Sequence, residues 1–211
     1  MGRIRKIKNA HTLIRQYSHF IHQPQVHYFT NHHPLEIEIG SGKGIFLITK
    51  ALNNPAINYI GIERDPTIVL KALKKINSLN TPLNNLLLIN DNATNLNKWF
   101  VQDSIQIIYL NFSDPWPKTR HEKHRLTNQV FLNLYYNLLR NHGLIEFKTD
   151  NLSFYEYSLL SFDSFGKFTK EFSTINLYQN LCDLKDNVQT EYEQKFINQN
   201  VTIKKIIWKK N

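Results

Sequence analysis

From Leu35 onward, apolar residues fall into short bursts whose spacing switches between two and about 3.6, the periods of a half-buried strand and an amphipathic helix. Leu35-Glu-Ile-Glu-Ile39 alternates apolar with polar and breaks into Gly40-Ser-Gly-Lys-Gly44, after which Ile45 to Leu52 resumes at helical spacing. That is strand, glycine-rich turn, helix. Tyr59 to Ile62 reads as a second strand ending in an acid, Glu63; Asp65-Pro66 then caps a helix over Thr67 to Leu79 with Lys71, Lys74 and Lys75 on its wet face. Leu86 to Ile89 is a third strand, followed by Asn90-Asp-Asn-Ala93. A fourth, from Ile105, ends at Phe112, because Pro115 and Pro117 have no N–H to give a ladder. Leu126, Val130, Leu134 and Leu138 predict a core-packed helix from Leu126 to Arg140 that Gly143 ends, before a fifth strand over Leu144 to Asp150. Past Asn151 the pattern gives a helix around Phe154 to Phe162, a strand near Phe168, a helix start at Thr190-Glu-Tyr-Glu193 and a final strand, Val201 to Trp208. Tandem strand and helix units of this kind specify an α/β fold: a mostly parallel sheet with right-handed crossovers and helices on both faces.

Length and composition narrow the class. The 211 residues suit one domain with a real core. An excess of 26 Lys and Arg over 17 Asp and Glu, net +9, favours a polyanionic partner, nucleic acid before membrane surface. The single cysteine, Cys182, excludes an internal disulfide framework and a cysteine-rich zinc site and fits a reducing cytoplasm. No apolar run approaches the roughly 18 residues of a membrane span. Residues 1–34 contain no acid but carry Arg3, Arg5, Lys6, Lys8 and Arg15, so they read as a basic arm preceding a domain over 35–211. A transit peptide shares the lack of acids but is richer in Ser and Arg. His32 and His33 lack a carboxylate or thiol at ligand spacing, so no metal site is expected there.

Candidate chemistry collects where strands end. A P-loop needs Gly, four residues, then Gly-Lys-Ser/Thr, but here Ile37 holds the first position and Gly44 the last. The dinucleotide fingerprint also fails, since its third glycine arrives one residue early. What remains is Glu-x-Gly-x-Gly-x-Gly, as Glu38, Gly40, Gly42 and Gly44, the pattern of S-adenosylmethionine-dependent methyltransferases. Its glycines let backbone approach the methionine part of the cofactor, and a carboxylate suits an amino group and sulfonium better than a pyrophosphate. Glu63, 19 residues past Gly44, is placed to accept both ribose hydroxyls. A side chain of the Asn90 to Ala93 turn can bond the adenine edge, although such clusters also serve turns. Asp114 sits at the end of the fourth strand, followed by Trp116, a face for a planar base, and by Lys118, Arg120, Lys123 and Arg125, cations for phosphates; alone, this stretch also reads as a Pro-rich turn with a solvated charge run.

Taken together, Glu38-Ile-Gly-Ser-Gly-Lys-Gly44, Gly61-Ile-Glu63, Phe112-Ser-Asp-Pro-Trp-Pro-Lys118, Phe147-Lys-Thr-Asp-Asn151 and Thr190-Glu-Tyr-Glu193 resemble, in that order, bacterial tRNA (guanine-N(7))-methyltransferases. The resemblance implies a Rossmann-like methyltransferase fold with an antiparallel C-terminal strand, and methyl transfer from S-adenosylmethionine to nitrogen 7 of guanine 46 in the tRNA variable loop. It implies cofactor contacts from Glu38, Gly40, Gly42, Gly44, Glu63 and Asp114, with Asp114 also the catalytic group, and tRNA contacts from Lys118, Asp150, Thr190, Glu191, Tyr192 and Glu193. Thr190 with Glu193 is at the same time a literal capping box. The family's Asp-Ala pair after the third strand is here Asn92-Ala93, with Asp91 displaced by one, so Asn92 is the expected adenine contact and Asp91 the alternative. The assembly is left as monomer or homodimer, without metal or membrane. An amino methyltransferase acting on adenine or glutamine nitrogen places Asn or Asp before Pro-Pro-aromatic, whereas here the aromatic precedes the second proline. A catalytically silent nucleic-acid-binding module is the rival from another class.

Overall fold

The computed structural model describes residues 5–179 and 187–211. Its centre is one seven-stranded sheet in the order β3-β2-β1-β4-β5-β7-β6. The strands are β1 (Leu35–Ile39), β2 (Asn58–Ile62), β3 (Leu86–Ile89), β4 (Ile105–Asn111), β5 (Leu139–Thr149), β6 (Phe168–Thr174) and β7 (Lys204–Lys210). The first five are parallel; β7 inserts antiparallel between β5 and β6, as the resemblance implied. The order reverses between β1 and β4, the switch point at which open α/β sheets bind ligands outside the strands' carboxyl ends.

Each face of the sheet is covered. Ile37, Ile39, Ile60, Ile62, Ile108 and Leu110 join Phe131, Tyr135, Phe154 and Trp208 in one cluster, under α5 (Gln129–Leu138) and α6 (Leu152–Phe165). On the opposite face Tyr59, Leu86, Leu88 and Tyr109 pack with α2 (Ile45–Asn53) and α3 (Pro66–Asn77). The alternation in β1 therefore separates two buried faces rather than core from solvent. Glu36 and Glu38 share the second face, and the Tyr109 hydroxyl donates to Glu36 Oε2 at 2.7 Å.

Helix α3 starts as expected: Asp65 accepts from the Thr67 N–H at 2.8 Å, and Pro66 occupies the first turn, where a missing N–H is harmless. The helix after the fourth strand departs from expectation at both ends and in its face. It begins at Gln129 because Asn128 caps it, accepting from the N–H groups of Val130 and Phe131. Its buried residues are Phe131, Leu132, Tyr135 and Leu138, while Val130 is 75% exposed. The two large rings take the core side and rotate the four-residue leucine and valine stripe partly outward. Gly143 does not end this helix. It lies inside β5, where the register against β4 jumps from Leu139 to Leu144, and a Cβ there would stand 2.9 Å from the Arg140 carbonyl.

The amino-terminal segment lies against the sheet's β3 end. Helix α1 (Ala10–Ile14) buries Ala10 and Ile14 beside α3, and the Ile7 N–H donates to Thr67 Oγ1 at 3.1 Å. Phe20 then bridges to Leu88 in parallel, so that Ile21 donates to the Leu88 carbonyl and Leu88 to the His19 carbonyl. The Tyr28 hydroxyl donates to the carbonyl of Trp99 at 2.5 Å, at the end of α4 (Leu96–Trp99).

Candidate active site

The strand order places the expected site residues in a row along the carboxyl ends: Asn92 after β3, Glu63 after β2, the glycine loop after β1, Asp114 after β4 and Asp150 after β5. In the loop Gly40, Gly42 and Gly44 all have positive φ, 79°, 57° and 76°, which side chains with a Cβ rarely adopt. A Cβ built on Gly40 would meet nothing within 4 Å and one on Gly42 only the Gly40 carbonyl, so the loop borders open space.

Glu38 lies under this loop, 3% exposed. Asn111, the last residue of β4, donates to its Oε1 at 2.8 Å, while among the described residues Oε2 has no partner and neither has the Asn111 side-chain Oδ1. Burial pushes the Glu38 carboxyl up to about 8, against the Asn111 bond and the nearby Lys148. A buried carboxylate oxygen without a donor, beside open space, fits an ammonium-bearing ligand. Glu63 is half-buried and faces the same loop: its Oε2 accepts from the Gly42 N–H at 3.3 Å and its Oε1 from the Asp65 N–H at 2.9 Å. Burial raises its pKa, and these two donors oppose the rise. At the β3 end Asp91 is a structural acceptor for the Asn92 N–H, Asn95 and the Trp99 indole. Asn92 is exposed; its Oδ1 accepts from Thr94 N and Oγ1, which leaves its Nδ2 donor for a ligand.

Asp114 is 59% exposed, with the Arg64 guanidinium 3.8 Å away. The loop carrying it is bent, with Phe112 at φ 51° and Trp116 at φ 44°. Arg125 holds it from below, donating to the Pro115 and Trp116 carbonyls and lying over the Tyr157 ring at 4.2 Å. Arg125, expected among the phosphate cations, serves here as a loop staple, because a loop with two prolines is short of N–H donors and the Pro115 and Trp116 carbonyls find theirs in its guanidinium. Lys118, Arg120 and Lys123 are exposed, and Trp116 packs against His121 and His124.

Helix α7 (Glu191–Ile197) closes the row. Its capping box is formed: Thr190 Oγ1 accepts from the Glu193 N–H at 3.0 Å, and Glu193 Oε2 accepts from the Thr190 N–H at 3.3 Å. Glu193, 0% exposed, also takes Lys148 Nζ at 2.9 Å, the Tyr178 hydroxyl at 2.6 Å and the Asn187 amide at 3.0 Å, so its acceptor capacity is filled internally. Burial lowers the Lys148 pKa while Glu193 raises it. Glu191 instead reaches Lys43 of the glycine loop at 2.9 Å and Lys75 of α3 at 3.9 Å. Tyr192 stacks on Phe112, and its hydroxyl pKa is raised by burial, with Lys43 opposing and Glu191, Asp114 and Glu63 adding to the rise. The structure thus gathers Glu38, the glycine loop, Glu63, Asp114, Glu191 and Tyr192, sets Asn92 and Asp150 at the flanks and leaves Lys118 on the exposed loop. Sequence reasoning missed Asn111, Lys148, Lys43 and Arg64. The first two carried a signal, a polar residue interrupting a strand buried on both faces.

Among the described residues no group of three or more His, Cys, Asp or Glu is arranged to hold a metal ion, and no helix is long and apolar enough to cross a membrane. A family model described as a putative methyltransferase matches residues 32–206. A tRNA (guanine-N(7)-)-methyltransferase of Malacoplasma penetrans is 50% identical over 183 residues, 87% of this chain and 82% of that protein. One of Mycoplasma genitalium is 44% identical over 208 residues, 99% of each chain. Among solved structures, the 16S rRNA methyltransferase KamB aligns with a TM-score of 0.62 at 10% identity, covering 100% of this chain and 97% of its own, a likeness of fold.

Proposed function

The chain belongs to the tRNA (guanine-N(7)-)-methyltransferase family, and on that premise we propose that it methylates nitrogen 7 of guanine 46 in the variable loop of tRNA, with S-adenosylmethionine as the donor. The observation that carries the reading is the buried, unpartnered oxygen of Glu38 beneath an open glycine loop, one strand away from Asp114.

When bound, S-adenosylmethionine supplies a methyl group whose bond to the sulfonium sulfur breaks with its electron pair left on sulfur. Glu38, through its unpartnered Oε2, would hold the cofactor's ammonium, Glu63 would accept from its ribose hydroxyls, and Asn92 would offer its amide N–H to the adenine. Gly40, Gly42 and Gly44 admit the backbone to close range. Guanine nitrogen 7 has a free lone pair and no proton, so no residue has to act as a base, and alignment dominates the rate. Asp114 orients the purine and stabilises the positive charge it gains. Tyr192 and Asp150 flank the base, and Glu191 borders it beside Lys43. Thr190 and Glu193 serve the substrate by holding the first turn of α7, and Lys118, Arg120 and Lys123 bind tRNA phosphates.

The test is to incubate unmodified tRNA transcript with protein and labelled cofactor, then to treat the RNA with borohydride and aniline. Cationic 7-methylguanine makes the chain cleavable at that nucleotide. Asp114→Ala is expected to slow label incorporation about 10²–10³-fold, the effect of removing one preorganised electrostatic group. Label without scission would assign an amino methyltransferase, and no label in any tRNA would leave a silent binding module.

A further inference from the structure

Beside the row of site residues, on the α3 side, the amino-terminal segment and the start of α3 enclose a cleft of about 620 Å³. This lies within the roughly 300–1,000 Å³ that hold ligands in proteins. Lys6, His11 and Arg64 line it together with the polar Asn9 and Thr12, and the one carboxylate in the lining, Asp65, is engaged as the cap of α3. The cations are exposed. Two features fix their placement. The apolar side of the segment is anchored, by Ala10 and Ile14 against α3 and by the Ile7 N–H on Thr67, so its charged side is held outward in one geometry. Arg64, in the wall of the cleft, is also the residue whose guanidinium lies 3.8 Å from Asp114, so the cleft opens next to the proposed reacting centre.

We propose that this cleft is a built site for the tRNA sugar–phosphate backbone immediately flanking the target guanine, with Lys6 on one wall and Arg64 on the other. The proposal rests on the tRNA reading above and extends it to a surface on the opposite side of Asp114 from the Lys118 to Lys123 loop. A nucleotide strand whose base reaches Asp114 has to carry its neighbouring phosphates out on some side, and here a cationic cleft shares Arg64 with the surroundings of that carboxylate. Because the arm is already docked, these contacts form without the ordering penalty that a loose tail brings. The acid-free composition of residues 1–34 then has a reason: a carboxylate on this wall would face the backbone.

The experiment measures tRNA binding by the full chain against salt concentration. Lys6→Gln is expected to raise the Kd about tenfold, as for one lost charge-assisted contact, and to reduce the log–log salt slope by about 0.7–0.9. Lys6→Arg should restore both. Thr12→Trp, which fills the cleft, should weaken binding without altering affinity for S-adenosylhomocysteine. Lys170→Gln, on the exposed strand at the far edge of the sheet, sets the background. A Lys6→Gln slope equal to that of Lys170→Gln overturns the cleft while leaving tRNA methylation by the wild type standing. Wild type that binds tRNA with the expected Lys6 effect but never yields 7-methylguanine overturns the function proposed above and supports the cleft. Protection of Lys6 from acetylation by millimolar inorganic phosphate as complete as that by tRNA would make this a free-phosphate site, and the proposal falls.

Discussion

A carboxylate buried without a full set of donors is costly, and the partner proposed for Glu38 is the ammonium group of the cofactor. Its unfolded pKa of 4.5 rises to about 8 in the fold, chiefly by burial. The folded chain thus keeps a proton that the unfolded chain releases, so the stability linked to this group is complete below pH 4.5 and is lost as pH rises through 8. Glu38→Gln removes that dependence. The variant is expected to melt above the wild type at pH 8–9, with the gap closing toward pH 4.5, in thermal scans without cofactor. An ammonium placed at Oε2 favours the charged form, so cofactor binding between pH 4.5 and 8 should release a proton, read as a buffer-dependent heat in calorimetry. Parallel melting curves at every pH and no buffer dependence would sink this assignment. The spacing from Glu38 to Gly44 made the residue legible in the sequence. Asn111 stood out only as a polar residue in a buried strand, and its pairing with Glu38 was not legible, because the contact spans two strands whose pairing only the fold reveals.

At the scale of elements, α7 shows how differently two ion pairs of one helix act. Seven residues do not sustain a helix in water, so its order depends on what holds its first turn. Lys148–Glu193 is buried with both partners further bonded, whereas Lys43–Glu191 is open to solvent at both ends. Glu193→Ala leaves a buried lysine uncompensated and is expected to cost about 3–5 kcal/mol in urea unfolding. Glu191→Ala should cost no more than about 1 kcal/mol. Equal losses would mean that α7 is docked by its surface contacts. The capping box was visible from two residues three apart, as local structure often is. The inward face of α5 was not: a stripe of Leu126, Val130, Leu134 and Leu138 satisfied the helical period, yet Phe131 and Tyr135 had more apolar area to bury and claimed the core. Periodicity locates a helix, and the competition among its side chains decides the rotation.

For the molecule as a whole, a mostly parallel sheet with helices on both faces and chemistry at the strand ends followed from the alternation of strands and helices, while the strand order and the role of residues 1–34 did not. Charge marks that stretch as an arm, although Ile7, Ala10, Ile14, Tyr17 and Ile21 fall at i, i+3, i+7, i+10 and i+14, a helical spacing that the run of cations and histidines around them obscures. In three dimensions those few residues act as fasteners: Ala10 and Ile14 on α3, Phe20 and Ile21 along Leu88. They also cover the β3 edge, whose unpaired N–H and C=O groups would otherwise invite another chain. Deleting residues 1–22 should therefore do more than weaken tRNA binding. The truncated chain is expected to melt lower than the full chain, to exchange the Leu88 amide faster with deuterium and to aggregate as concentration rises. Each follows from uncovering one strand edge and the apolar side of α3. An arm that serves only as a basic tether predicts the opposite result, unchanged melting and unchanged protection of Leu88 with tRNA affinity alone reduced. Scanning calorimetry with hydrogen exchange on the two proteins, both without tRNA, separates the outcomes, because neither measurement involves the RNA.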